Sequence, residues 1–432
     1  MRPSKRSQFK AALGPGLIMA GAAIGVSHLV QSTRAGATFG TSLMLLIVVA
    51  CLFKYPFLEF GPRYAAATGE SMLVGFRRLG RWAVWTFAFI TLSTMLVILA
   101  SISLVTAGLA GVVLGLSANA TVLSVGVLLA CLAVLAIGQY RGLELAMKLM
   151  MGALVVSTLA ATSLALFEPA NWAMLDPSLH WDSIWTASGV AFVLALLGWM
   201  PIPLDVSVWH SIWTLERSSK IGQLPSVQAA VWDFQLGYIT ATLTALVFVL
   251  LGATILGSGN APLPTAAVAF ASTLVSAYTQ SLGDWSHALI GIAALSAMFS
   301  TTLAVADAYP RVLYGLWQVS QNTTTAVTQE EGSQAERPAM TTTIYLGVLV
   351  FNAIGAFVII AFFGAQFTRL IDFATTVSFL SAPILGWLSL RLIGSSWVPK
   401  AHQPSRGLRA LAVAGLVFLM AFCVLWTYWR FA

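Results

Sequence analysis

Apolar residues fall in runs that match the hydrocarbon thickness of a bilayer, roughly 20 residues of helix. Eleven such runs are predicted, at about 12–34, 41–62, 82–106, 121–138, 144–167, 186–213, 232–255, 285–316, 341–363, 367–392 and 409–428. Short polar or basic stretches separate them. The longest polar stretch, "QVSQNTTTAVTQEEGSQAERPAM" from Gln318 to Met340, reads as a loop. The segment from Ala261 to Gly283 is only moderately apolar and reads as a surface helix ahead of the eighth run. This pattern describes an all-α integral membrane protein without a soluble domain. Composition agrees: 9% of the 432 residues are charged and 58% are hydrophobic, against about 25% charged in soluble domains.

Two runs are interrupted. The first contains "GAAIGVSHL" from Gly21 to Leu29, and the sixth contains "GWMPIPLDVS", with prolines at 201 and 203. Proline has no N–H and clashes with the preceding turn, so the sixth run is expected to unwind there. Gly25 between β-branched Ile24 and Val26 weakens the first run in a similar way. The interrupted runs are numbers one and six. Spans 1–5 (about 11–168) and 6–10 (about 184–393) therefore read as two halves broken at the same place, with the run at about 408–428 as an addition. An odd number of spans per half inverts the halves relative to each other. Paired breaks in inverted halves point to a transporter with its site near the membrane midplane.

Charge placement sets the orientation. Eighteen of the 22 Lys and Arg lie before the first span or in the loops after the second, fourth, sixth, eighth and tenth. Positive loops stay cytoplasmic, so the N-terminus is expected inside and the C-terminus outside a cell (inner or plasma) membrane. The net charge of +7 is thereby spread over many loops, which argues against a nucleic-acid face. The basic start leads into a segment too long and too glycine-interrupted for a cleaved leader. Cys51, Cys131 and Cys423 are scattered in apolar runs and suggest neither a disulfide framework nor a metal site. No nucleophile elbow, phosphate loop or paired-His motif is present, so the chain is not expected to be an enzyme or to hold a cofactor.

"GPGLIMAGAAIGVSHLVQSTRAGATFG" (Gly14–Gly40) resembles the first helix of the NRAMP (natural resistance-associated macrophage protein) divalent-metal transporters. "YAAATGES" after span two, "YRGLELAMKLMMGAL" from Tyr140, "GWMPIPL" and "FSTTLA" are similar to that family as well. The resemblance covers spans 1–10. It implies the LeuT-type fold with two inverted five-helix repeats, unwound helices 1 and 6, and proton-linked alternating access. The family's Asp-Pro-Gly-Asn metal motif, however, corresponds here to Gly25, Val26, Ser27 and His28. Of its Met-Pro-His motif, Met200 and Pro201 remain, but Ile202 replaces the His, and Ser207 stands at a second family histidine.

A divalent cation leaving water needs charged or strong oxygen or nitrogen ligands, and this set supplies no carboxylate. The break also resembles the glycine-rich break of amino-acid transporters of the APC superfamily, where freed amides hold a substrate carboxylate. The expected site comprises Gly21, Ala22, Ile24, Gly25, Val26, Ser27 and His28 in the first run. In the sixth it comprises Leu197, Met200 and Pro201, with freed carbonyls near Leu197–Met200 taking an ammonium. The favoured cargo is a small amino acid or related carboxylate moved with protons by a protein in lipid, expected as a monomer. A divalent metal held by His28, Met200 and Asp205 is the alternative, and a non-transporting signalling or scaffold role is a third. His28, Asp205, Asp307 and Glu59 are candidates for coupling, because intramembrane charges are costly and commonly functional. Glu59 with Arg63, Asp307 with Arg311 and Glu144 with Lys148 are also spaced for i,i+4 ion pairs. Ser300, Thr301 and Thr302 offer hydroxyls that equally suit helix packing.

Overall fold

The computed structural model describes residues 14–167, 172, 175–178, 180–256, 264, 266–321 and 340–431. Side chains are described for these residues except 138–151, 153, 154, 277, 278, 280–282, 286, 365, 430 and 431. The expected loop at 318–340 thus falls largely outside the description, and so do the side chains of Glu144 and Lys148.

Fourteen α-helices of seven or more residues organise the described residues. The first span is α1 (Pro15–Ala23), a π-helical stretch (Val26–Ser32) and α2 (Thr33–Phe39). It is followed by α3 (Met44–Thr68), the short α4 (Met72–Leu79), α5 (Arg81–Leu114) and α6 (Ala120–Phe167). The sixth span is α7 (Ala187–Trp199) and α8 (Val206–Ile221), separated by an irregular segment. Then come α9 (Val227–Leu251), α10 (Ala267–Leu282), α11 (Ser286–Gln321), α12 (Thr342–Phe363), α13 (Phe367–Ile393) and α14 (Arg406–Phe431). Among the described residues nine helices are long and apolar enough to cross a membrane, and the two halves of the sixth span add a broken crossing. Both predicted interruptions are therefore present.

Spans four and five differ from expectation. They form one helix of 48 residues, about 72 Å at 1.5 Å per residue. The five residues between the two expected runs, "QYRGL", contain no proline, so nothing there forbids continuous helix. The segment expected as a surface helix is α10. It buries Phe270, Ala271, Leu274 and Val275, and at Gly108 of α5 a Cβ would stand 2.6 Å from the Ala267 carbonyl oxygen.

Lipid is the outer solvent. Leu45, Phe89, Ile137 and Phe362 are each at least 74% exposed, on a scale that would be a liability in water. Inside, backbones meet at small residues. A Cβ on Gly237 would lie 2.1 Å from the Gly16 carbonyl oxygen, one on Gly61 2.1 Å from that of Ser207, and one on Gly198 2.0 Å from that of Thr375. Only glycine permits such approach, and in lipid close packing of this kind replaces the hydrophobic drive between helices. These contacts fix α1 on α9, α8 on α3 and α7 on α13, and Gly36 likewise brings α2 against the Val249 carbonyl of α9, so each half of the broken spans has its own support.

The start of α1 is anchored by an acid from elsewhere. Asp233 of α9 accepts from the amide of Gly14 through Oδ1 at 3.0 Å and from that of Gly16 through Oδ2 at 2.5 Å. Pro15 between them has no N–H to satisfy. A carboxylate at a helix start meets both the unpaired amides and the positive end of the dipole. Asp233→Ala is expected to cost about 2–3 kcal/mol, the loss of charged hydrogen bonds in a buried setting, read as a lower unfolding temperature of the purified protein in detergent. Unchanged melting would show that this cap does not hold α1.

Candidate functional site

The first break is a single sharp joint. Ile24 (φ −78°, ψ 58°) and Gly25 (φ −129°, ψ −123°) leave helical geometry. Their amides nevertheless stay paired, with the Ala20 and Ala23 carbonyls respectively, each at 2.8 Å. Regular bonding resumes with His28 and Leu29, both donating to the Gly25 carbonyl. Val26 and Ser27 stand at the start of the new helix, where amides lack an intrahelical acceptor. Gly25 is pressed against α11: a Cβ there would sit 2.4 Å from Thr301 Oγ1. The same hydroxyl donates to the Gly21 carbonyl at 2.8 Å.

Ser27 and His28 fill the joint. The Ser27 hydroxyl lies 2.5 Å from the Ala23 carbonyl, 2.7 Å from His28 Nδ1 and 3.5 Å from the carbonyl of Pro201. The Pro201 contact joins the two breaks directly. On the far side of its ring, fully buried His28 donates from Nε2 to the Ala241 carbonyl of α9 at 2.7 Å.

The second break runs from Met200, where α7 stops, to Asp205 at the start of α8. The Met200–Pro201 peptide is cis. Met200 Sδ accepts from Ser32 Oγ at 3.7 Å, and Trp199 Nε1 donates to Ser378 Oγ of α13 at 2.9 Å. Asp205 is buried. Between the breaks lies a small cavity of about 30 Å³, above the roughly 10–15 Å³ that one water needs. Ala22, Val26, Ile202, Pro203, Trp199 and Trp209 make most of its wall apolar, and Ser27 and Thr301 bring hydroxyls. No carboxylate lines it.

A lysine that the sequence pattern left without a role completes the second break. Lys54 of α3 is 1% exposed, and its Nζ donates to the carbonyls of Leu197 at 3.2 Å and Gly198 at 3.1 Å. The Leu197–Met200 carbonyls expected to receive a ligand's ammonium thus hold, at their first two positions, an ammonium belonging to the protein. Lys54's partners are main-chain atoms, 143 residues away for Leu197, and such partners leave no mark on residue type. The visible signal was the lone lysine in an apolar run.

Ion pairs close both ends of the bundle. Arg34, at the end of the first span opposite α1, pairs with Asp372 of α13 at 2.8 Å, bonds Gln31 at 2.7 Å and lies 5.1 Å from the ring centre of Phe192 in α7. At the other end Asp307 of α11 accepts from Arg311 at 2.7 and 2.8 Å and from the Tyr345 hydroxyl of α12 at 2.8 Å. Arg311 continues to Glu216 of α8 at 3.1 Å. Glu59 pairs with Arg63 at 2.5 Å, and Arg63 also reaches the His402 carbonyl. Asp307 and Glu59 are therefore tied into ion-pair clusters and do not line the cavity. Two further buried groups went unread in the sequence. Among the described residues neither ring nitrogen of His210 and neither amide atom of Asn352 has a hydrogen-bond partner.

Residues 16–429 match the family model "Natural resistance-associated macrophage protein-like". The chain belongs to the NRAMP family. A relative, an uncharacterized protein of Pasteurella multocida, is 32% identical over 418 residues, which are 96% of this chain and 91% of that protein. The manganese transporter of Eremococcus coleocola superposes with a TM-score of 0.71 at 15% identity, covering 98% of this chain and 88% of that one. MhsT, solved with L-phenylalanine, superposes with a TM-score of 0.66 at 15% identity, covering 94% and 98%. The last two show a shared LeuT-type transporter fold. NRAMP is a family of membrane transporters rather than an enzyme class, and this chain is a multi-pass membrane member of it.

Within that frame the altered ligand positions can be located. Gly25 offers no side chain, Val26 and Ser27 face the cavity, and His28 turns to α9. Ile202, in place of the family's His, lines the cavity, and the Ser207 hydroxyl donates to the Leu204 carbonyl at 2.9 Å. His28 and Met200 have different neighbours, and no group of three His, Cys, Asp or Glu suited to a metal occurs among the described residues. Of the ten expected binding residues, Ala22, Val26 and Ser27 line the cavity itself; the other seven frame the joints behind it.

Gly25→Ala is expected to destabilise the protein by about 1–3 kcal/mol, the usual cost of overpacking. Adding Thr301→Gly should recover most of the loss. Thermal unfolding of the single and double variants in detergent checks this, and a neutral Gly25→Ala would show that the joint is looser than its contacts imply.

Proposed function

We propose that this NRAMP-family protein is a secondary transporter that carries a small amino acid or related carboxylate, together with protons, by alternating access at the paired breaks. The donor set between the breaks carries this reading. It consists of hydroxyls, main-chain groups and a lysine ammonium, without a carboxylate on the cavity wall. A divalent cation would have to shed water without an anionic ligand, which is costly in a low-dielectric site. A carboxylate, in contrast, suits amides at a helix start and a nearby fixed cation. The cavity admits such a cargo only when the two breaks separate, which fits access from one side at a time. His28 and Asp205 are the proposed proton-handling groups, since each is buried within a turn or two of a break.

The runner-up is divalent-metal transport through His28, Met200 and Asp205. Its support is the fold shared with a manganese transporter. Reconstitution in liposomes separates the two. Uptake of labelled alanine, glycine or serine, driven by an inward proton gradient and absent for manganese, is the expected outcome. Saturable manganese uptake lost in His28→Ala or Met200→Ala, without amino-acid uptake, would reverse the assignment. Movement of neither would favour a signalling or scaffold role.

The proposed topology is eleven crossings of a cell membrane in two inverted repeats plus one helix, with the N-terminus inside; it requires the membrane-embedded protein to turn within α6, between the expected spans four and five. With Cys51, Cys131 and Cys423 replaced, a cysteine at exposed Ser178 should react with an impermeant thiol reagent on intact cells. One at exposed Ser219 should react only after permeabilisation. The opposite pattern would invert the orientation.

A further inference from the structure

The prolines of the second break leave particular carbonyls without partners. In an unbroken helix the Leu197 carbonyl would accept from residue 201 and that of Trp199 from residue 203, but both are prolines and have no N–H. Because α7 ends at Trp199, the Gly198 carbonyl loses its partner too. The end of α7 also carries the negative end of its dipole. A bundle interior surrounded by lipid offers no bulk water to pair these oxygens.

Lys54 meets that need. Two of its ammonium hydrogens are directed at the Leu197 and Gly198 carbonyls. Among the described residues no carboxylate lies within 4.0 Å of its Nζ; Asp205 acts on it only at longer range. A cation held by main-chain carbonyls at a helix C-terminus, without an anion in contact, has the coordination that a monovalent ion takes. We infer that the Leu197 and Gly198 carbonyls form a monovalent-cation site, and that the Lys54 ammonium is the cation tethered in it. The chain then needs no sodium, potassium or ammonium ion from solution at this break. The site is a property of α3 and α7 and does not depend on the identity of the cargo.

Melting of the full-length protein in detergent tests this without any cargo, in chloride salts of choline, sodium, potassium and methylammonium at equal ionic strength. Wild type is expected to melt at the same temperature in all four. Lys54→Ala should melt about 5 °C lower in choline, as expected for loss of a charged hydrogen-bonded group. It should regain at least half of that loss, saturably, in methylammonium or an alkali salt. Lys54→Met fills the space without a charge and should melt low in every salt. Wild-type melting of Lys54→Ala in choline, or an equal loss in all four salts, would overturn the inference. If Lys54→Ala does not survive extraction in choline, recovery of monodisperse protein in methylammonium alone supports the site. Equal recovery, or equal failure, in both salts counts against it.

Discussion

A helix interrupted inside a bilayer leaves amides and carbonyls where water cannot reach them, and each must find a partner within the protein. That requirement organises this structure at both breaks. At the first, two amides fold back onto nearby carbonyls, and Ser27 and His28 span the gap with side chains. At the second, the deficit is in carbonyls, and an ammonium from another span supplies the donors. The two solutions touch at the Pro201 carbonyl, so the breaks form one assembly.

Around this assembly the charged residues take up perimeter positions. Arg34 gathers Asp372, Gln31 and the Phe192 ring, which brings together the first span, α13 and α7 at one end. Asp307, Arg311, Tyr345 and Glu216 gather α11, α12 and α8 at the other. The same elements that border the cavity are thus clasped above and below it. Of these, the Arg34–Asp372 and Arg311–Glu216 pairs between separate helices are partly exposed and of the weaker kind, whereas Asp307 is buried.

Much of the fold was legible because membrane structure is written in composition and periodicity. The interruptions were legible because proline and glycine act locally on the backbone. The merging of spans four and five was not, since no residue between them compels a break and none forbids one. The family could be recognised from short motifs along the first, fifth and sixth spans. The site was legible only in part. Ser27 and Val26 line the cavity, whereas the use of His28 depends on a carbonyl in α9 and that of Lys54 on carbonyls in α7. Main-chain partners leave no mark on residue type, so contacts of this kind escape any reading of side chains. The Glu59–Arg63 and Asp307–Arg311 pairs, four residues apart on one helix, were within reach of simple spacing.

The anchoring of α1 has a mechanical consequence. Asp233 grips its first turn, and Gly16 and Gly237 lock its flank to α9 with backbones nearly in contact. Neither element can slide along the other without unpairing a buried acid or driving main chain into main chain. The first half-helix and α9 therefore behave as a single rigid strut, pivoted where Ile24 and Gly25 leave helical geometry. A shift of α9 beside Gly237 is thereby passed to α1, which carries Ala22 of the cavity wall.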